Sequence, residues 1–222
     1  MPLYKTINYN SSTQILVWKI TESYEQLFAE VQLNEKSLLR LNGMKSQLHQ
    51  RAFLSVRKLL QQANYSDFDL YYDQSGKPYL NPNVPHTLPK LREYEVSISH
   101  SHEFSTLIIS DQKVGIDIEM QREKIIKIAD KFVNSKELNR LKNQNSQDYI
   151  KKLTVKWGAK EAIFKIRNEP GISFKDHIQV NSFEISDGTT TAILEIENLK
   201  QKFTIHFEEF ENYTLVYTFE EI

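Results

Sequence analysis

Twice along this chain, a long segment with helical spacing of apolar residues is followed by several short segments with the alternation typical of strands. Helices are predicted over 47–63 and 146–166, and each has an apolar stripe along one face. Because helices and strands occur in separate runs, the pattern predicts an α+β architecture, consistent with two similar lobes. No internal repeat is visible at the residue level.

The remaining elements follow from shorter patterns. Ser23 and Gln26 have the spacing of a capping box, which predicts a short helix through Val31. Asp187-Gly188 predicts a hairpin turn, and three prolines predict a loop over 81–89. A further helix is predicted over 135–142. Strands are predicted over 13–20, 68–72, 78–80, 94–99, 104–110, 114–119, 178–185, 190–196, 203–207 and 213–219.

Composition excludes several classes of function. A net charge of -1 over 222 residues argues against a nucleic-acid binder, which is usually strongly basic. The chain has no cysteine, so it has no thiol nucleophile, thiolate zinc site or disulfide. It has no apolar run that could span a membrane, and its N-terminus lacks the pattern of a secretory signal. We therefore expect a cytoplasmic protein without a membrane segment.

The segment Val114 to Glu119 carries the strongest chemical signal. In a strand, alternate residues face opposite sides, so Ile116 and Ile118 point to the core while Asp117 and Glu119 share the other face. Two neighbouring carboxylates suit a hard cation such as Mg²⁺, which binds carboxylates together with substrate phosphates. A half-exposed strand with two solvated acids explains the same pattern equally well.

A second signal lies late in the helix predicted over 146–166. Trp157, Glu161 and Lys165 are spaced by four and therefore share one face, at the edge of the apolar stripe. Gly158 lies beside them, and a glycine inside a helix indicates close packing because it weakens the helix. An ordinary surface pair of glutamate and lysine is the alternative interpretation.

Two polar loops complete the set. Ser97-Ile98-Ser99-His100-Ser101-His102 places donors at the end of a strand, where a ligand could lie, and Gly76-Lys77-Pro78 places a lysine beside a turn. Each is also typical of an ordinary polar turn. No nucleophile elbow surrounds the serines, and the chain has no phosphate-binding glycine loop, zinc-protease helix or calcium loop.

In their order and spacing, these segments resemble the 4′-phosphopantetheinyl transferase superfamily, in particular its long, surfactin-synthetase-activating type. The matching pieces extend from Gly76 to Lys165. They are Gly76-Lys77-Pro78, Ser97-Ile98-Ser99-His100-Ser101, Gly115-Ile116-Asp117-Ile118-Glu119 and Trp157 through Lys165.

The resemblance implies both a fold and a reaction. The fold is a monomeric pseudo-dimer of two similar α+β lobes, 1–113 and 114–222, each an antiparallel sheet packed with helices, with the site in the cleft between them. The reaction moves the 4′-phosphopantetheine group of coenzyme A to a serine of an apo acyl or peptidyl carrier protein and releases 3′,5′-ADP.

The resemblance also implies a role for each site residue. Asp117, Glu119 and Glu161 would hold Mg²⁺, or Mn²⁺, against the pyrophosphate of coenzyme A. Glu161 would be the general base, and Lys165 would neutralise the departing phosphate. His100 is the third catalytic candidate. Contacts to coenzyme A are expected from Lys77, Ser99, His100, Lys160, Lys165 and, at the nucleotide end, Arg51.

Carrier proteins of this class are acidic, so a basic docking region is expected. Between residues 121 and 156 the chain has ten basic residues and four acidic ones. A positive local field steers an acidic partner, and we therefore predict docking in this region. The alternative functions are an Mg²⁺-dependent nucleotide phosphohydrolase, which would use the same carboxylates, and a non-catalytic adaptor for the carrier protein.

Overall fold

A computed structural model describes residues 3–81, 94–141, 145–197 and 199–221. The chain forms two compact units, Met1–Gln112 and Lys113–Ile222, here called the first and second units. Each unit contains one antiparallel sheet covered by helices, with six strands in the first and five in the second. The predicted α+β class is therefore confirmed. In the described part of the chain, no helix is both long enough and apolar enough to cross a membrane.

The first unit is built around a helix that lies on the middle of its sheet. The strand order is β1-β2-β6-β5-β4-β3, and α3 packs on β6, β2 and β5. Leu54, Leu59 and Leu107 are fully buried between helix and sheet. The elements are β1 (Leu3–Asn10), β2 (Thr13–Lys19), α1 (Tyr24–Glu30), α2 (Glu35–Asn42), α3 (Gln47–Gln62), β3 (Leu70–Tyr72), β4 (Pro78–Leu80), β5 (Glu95–Ser101) and β6 (Phe104–Ser110).

The second unit is organised by a single long helix, α6. The strand order is β7-β11-β10-β9-β8, and α6 packs chiefly on β7 and β11. Ala159 and Ile163 of α6 are buried against Phe203 and Ile205 of the sheet. The elements are β7 (Val114–Met120), α4 (Lys124–Phe132), α5 (Ser135–Leu141), α6 (Ser146–Arg167), β8 (Ile178–Val180), β9 (Thr189–Ile196), β10 (Leu199–Phe210) and β11 (Tyr213–Glu220), with a 3₁₀ turn at Ile185–Asp187.

Two glycines allow α6 to lie directly on the sheet. A Cβ added to Gly115 of β7 would lie 1.9 Å from the carbonyl oxygen of Ala162 in α6. A Cβ added to Gly158 of α6 would lie 2.7 Å from Cγ2 of Val216 in β11. The close packing that Gly158 indicated is therefore confirmed. The backbone of β7 contacts the backbone of α6, so their separation is fixed by main-chain atoms.

Replacing Gly115 by alanine should destabilise the protein by about 1–3 kcal/mol, because the new methyl group overlaps a backbone carbonyl that has no rotamer to adopt. The matched control is Gly43→Ala, where the new Cβ meets its nearest atoms at 3.5 and 3.6 Å and the change should stay within about 0.5 kcal/mol. Urea denaturation of both variants measures the difference. Equal midpoints would contradict the backbone contact.

Most of the predicted elements are present, but the boundaries of several differ. The capping box of Ser23 and Gln26 forms, and α1 follows it. Asn145 rather than a serine caps α6, because its Oδ1 accepts from the Asp148 amide. The strand predicted over 178–185 ends at Val180, and the chain instead makes the 3₁₀ turn before Gly188. Three elements were not predicted: β1, α2 and α4. The loop predicted over 81–89 lies, from residue 82, outside the described residues.

Candidate active site

Asp117 is an acid inside the second unit, and a lysine from α6 reaches it. Its side chain projects from β7 and the residue is only 4% exposed. The Lys165 ammonium donates to Asp117 Oδ1 at 2.9 Å and to the Ile116 carbonyl at 2.8 Å. The interpretation of Asp117 as a solvated surface acid is therefore wrong, because β7 is buried on both faces from Val114 to Ile118.

Glu161 lies one turn before Lys165 on α6 and belongs to the same local site. Burial raises the pKa of Glu161 above its ordinary value, the charge of Asp117 raises it further, and Lys165 opposes both effects. Such a contribution is expected where two carboxylates lie near each other and repel. Asp117, Glu161 and Lys165 are thus brought together, with two negative charges and one positive charge.

The close approach of strand and helix explains why these groups meet. A Cβ on Gly158 would lie 3.4 Å from Asp117 Oδ2, so the carboxylate lies against the α6 backbone. Gly158 and Glu161 are three residues apart and therefore neighbours on the helix surface. The glycine gives Asp117 room beside α6, next to the turn that carries Glu161.

Glu119 lies further along β7 and lines an open groove. Apolar side chains of Met120, Ile125, Ile128 and Trp157 line the groove together with Thr154, and Arg122 and Lys124 also line it. In the described part of the chain, no three His, Cys, Asp or Glu side chains form a group that could hold a metal ion. The structure therefore pairs Asp117 with Glu161 and leaves Glu119 beside them, without the predicted cluster of three.

Lys160 does not have the predicted role of a phosphate contact. It is 0% exposed, and its ammonium donates to the carbonyls of Phe132 at 2.7 Å and Ile178 at 2.6 Å. It is also bonded to the Phe174 carbonyl at 2.9 Å and to Glu137 Oε2 at 3.0 Å. Burial lowers the pKa of Lys160 to about 8, although Glu137 opposes this shift. Enclosed by these four acceptors, Lys160 cannot reach a ligand in solvent.

The first unit contains the predicted serine and histidine at the end of β5. Ser99 is buried and pairs with Thr106 of β6, whereas His100 is exposed. The His100 ring lies 6.0 Å from the His49 ring, which projects from the first turn of α3. His49 was not predicted as a site residue. Its only signal in the sequence was its place on the polar face of α3, two residues before Arg51.

The two other cationic candidates of the first unit contact protein groups. Lys77 forms a 3.1 Å ion pair with Glu95 and lies 5.5 Å above the Tyr79 ring. Arg51 is half-buried and donates to the Ile20 carbonyl at 3.2 Å. Both side chains are held by their neighbours, and neither contact excludes a further bond to an anion.

Only some of the basic residues in the predicted docking region, 121–156, face solvent. Lys151 and Lys152 pair with Glu209 and Glu184, and Lys156 is buried with Glu137. Lys142 and the Arg140 side chain lie outside the described residues. The basic residues that face solvent are Arg122, Lys124, Lys127, Lys131 and Lys136, with the acidic Glu123 and Asp130 and the apolar Ile126 exposed among them.

Comparison with known proteins points to the segment that contains these site residues. The model of the 4′-phosphopantetheinyl transferase superfamily matches residues 113–218, which include Asp117, Glu161 and Lys165. The 4′-phosphopantetheinyl transferase gsp of Aneurinibacillus migulanus is 30% identical over 164 residues. The match covers 72% of this chain and 63% of the relative, so less than two thirds of the relative's length is matched. The resemblance predicted from the sequence is therefore confirmed: residues 113–218 match the 4′-phosphopantetheinyl transferase superfamily, and a transferase of that kind is similar over 72% of the chain.

Proposed function

We propose that this protein transfers the 4′-phosphopantetheine group of coenzyme A to a serine of an apo carrier protein, in a reaction that depends on magnesium or manganese. The observation that carries the proposal is the constellation of Asp117, Glu161 and Lys165 inside the segment that matches the superfamily. Two close carboxylates next to an ammonium suit the binding of a metal and a phosphate group together.

The residues of this site can provide the required proton transfer and charge balance. The serine oxygen forms a bond to the phosphorus that carries pantetheine, and the bond from this phosphorus to the pyrophosphate bridging oxygen breaks. Glu161 accepts the serine proton, since its raised pKa makes it a stronger base than an exposed glutamate. Lys165 lies beside Asp117 and neutralises negative charge as 3′,5′-ADP leaves.

The donor set fits a divalent cation. Magnesium usually takes one or two carboxylates from the protein and completes its coordination with water and substrate phosphates. Asp117 and Glu161 supply such a pair, and Glu119 follows Asp117 on the same face of β7. When bound, the cation would neutralise charge on the phosphoryl oxygens and orient them for attack.

The surface of α4 supports docking of an acidic carrier protein beside this site. Lys124, Lys127 and Lys131 are exposed along the helix, and Ile126 is 39% exposed between them. The groove that Glu119 lines is also lined by Ile125 and Ile128 of α4. A basic rim with an apolar floor suits an acidic partner that delivers a serine to the carboxylates.

Intact-mass spectrometry tests the proposal directly. An apo acyl carrier protein incubated with this protein, coenzyme A and Mg²⁺ should gain the mass of one 4′-phosphopantetheine group. EDTA should abolish the gain, and excess Mg²⁺ should restore it. A carrier protein whose acceptor serine is replaced by alanine is the matched control and should stay unmodified.

Two other results would reject the proposal and identify an alternative. Release of 3′,5′-ADP with no mass gain on any of several unrelated apo carriers would indicate the phosphohydrolase. Binding of carrier protein with neither product would indicate the adaptor.

A further inference from the structure

A buried charged cluster lies next to the active-site face of α6, the face that carries Trp157 and Glu161. It consists of Glu137 from α5 with Lys156 and Lys160 from α6 and is here called the Glu137 cluster. The side chains of Glu137 and Lys160 are 0% exposed, and that of Lys156 is 4% exposed. Glu137 Oε1 accepts from Lys156 and Oε2 accepts from Lys160, each at 3.0 Å. One carboxylate thus joins two successive turns of α6.

The cluster also fixes backbone outside the helix. Lys160 donates to the carbonyl oxygens of Phe132 and Phe174, and Lys156 donates to that of Val180 at 2.8 Å. The Val180 amide in turn donates to Glu137 Oε1 at 3.3 Å. The end of α4, the segment before β8 and β8 itself are therefore tied to α6 at one place.

The two phenylalanines that the cluster fixes are in contact with the active-site face. The Phe132 ring meets the Trp157 ring edge-on at 5.1 Å, and the Phe174 ring lies 5.7 Å from it. Trp157 precedes Glu161 by four residues and lies on the same helical face. The backbone that Lys160 binds thus carries the rings that hold Trp157 in place.

Burying three charges is an expensive way to stabilise a core, because apolar side chains of similar size often do so as well or better. A buried ionic cluster is useful where one particular alignment of elements must be chosen over others. Lys156 and Lys160 each precede a residue of the active-site face, Trp157 and Glu161, by one position. Fixing these lysines therefore sets the rotation of α6 and the direction of Glu161.

We propose that Glu137 is a positioning residue for the transfer reaction, which acts through Lys160 to hold Phe132, Phe174 and Trp157, and thereby Glu161. The inference rests on the proposed function, because it explains how the base of that reaction is aligned. Glu137 itself touches no substrate.

The test compares Glu137→Gln with a variant that loses stability elsewhere. Leu27→Ala removes a fully buried side chain of α1 in the first unit and leaves the Glu137 cluster intact. Both proteins are assayed at a temperature where circular dichroism shows them fully folded. For Glu137→Gln we expect kcat to fall roughly 10- to 100-fold with little change in KM for coenzyme A, because the base is misaligned. For Leu27→Ala we expect kcat to stay at the wild-type value.

A spectroscopic readout separates this inference from the proposed function. The chain has two tryptophans, so a Trp18→Phe background reports on Trp157 alone. Glu137→Gln should shift the Trp157 emission to longer wavelength, and Leu27→Ala should not. If the wild type modifies no carrier, the proposed function has failed while the emission still tests the alignment. Equal kcat in Glu137→Gln and wild type, or an unchanged Trp157 emission, overturns the positioning role.

Discussion

Replacing Glu137 by alanine should lower the free energy of unfolding by about 3–5 kcal/mol, a large fraction of the stability of a typical domain. The change leaves the ammonium groups of Lys156 and Lys160 buried without their shared carboxylate. The carbonyl oxygens that also accept from these ammonium groups are neutral and cannot balance two charges. Urea denaturation at neutral pH measures the loss. Glu123→Ala is the control, because Glu123 is exposed and makes no side-chain cap bond at the start of α4.

The same carboxylate should make the stability sensitive to acid. Burial by itself would raise the pKa of Glu137, but Lys156 and Lys160 outweigh burial and hold the pKa below the ordinary 4.5. A lowered pKa in the folded state contributes stability that is complete above 4.5 and is lost as the pH falls through the folded value. The wild type should lose this contribution in strong acid. The free energy of unfolding of Glu137→Ala should depend less on pH in that range. If the free energy of unfolding fell in parallel with pH in the two proteins, Glu137 would not be the source of the acid sensitivity.

Replacing Glu161 by glutamine should lower kcat for carrier modification by about 10²–10⁴-fold, the usual contribution of a general base. The amide keeps the size of the side chain but cannot accept the serine proton, and it removes one of the two carboxylates proposed to hold the metal. The folded structure should survive, because the change relieves the repulsion between Glu161 and Asp117 that raises the pKa of Glu161. Single-turnover mass spectrometry of the carrier measures the rate.

The matched control for Glu161 is Glu195→Gln on β9. Glu195 forms an ion pair with Lys200 at the surface, where both side chains are more than half exposed. Its replacement should leave the transfer rate unchanged. A Glu161→Gln protein that modifies the carrier at the wild-type rate would remove Glu161 from both of its proposed roles, as base and as metal ligand.

The sequence predicts the fold well where one local pattern dominates. The alternation of β7, the stripe of α3 and the capping box before α1 all depend on neighbouring residues, and each is present. The edge strand β1 lacks such a pattern, because its residues are half-buried or exposed throughout. Only its pairing with β2 makes it a strand, and that is a tertiary effect.

In the active site, too, local spacing was predictable from the sequence, whereas burial by distant residues was not. The spacing of Glu161 and Lys165 places them on one helical face, and the structure puts both beside Asp117. Lys160 looked like a surface lysine next to a catalytic residue, but it lies about 100° around the helix from Glu161 and points into the unit. Glu137 looked like any helical surface charge. That these residues are buried can be seen only when their partners from distant parts of the chain are known.

The contact between Gly115 and Ala162 has a consequence for anyone who would redesign this protein. Because strand and helix touch through main-chain atoms, the distance between the backbones that carry Asp117 and Glu161 is set by the main chain and not by adjustable packing. Substitutions elsewhere in the core should leave that backbone distance unchanged, whereas the direction of the Glu161 side chain still depends on the Glu137 cluster. An engineer who wants the pocket to accept a larger cation or a different phosphate donor would therefore do better to exchange aspartate for glutamate at the fixed positions than to move the elements that carry them.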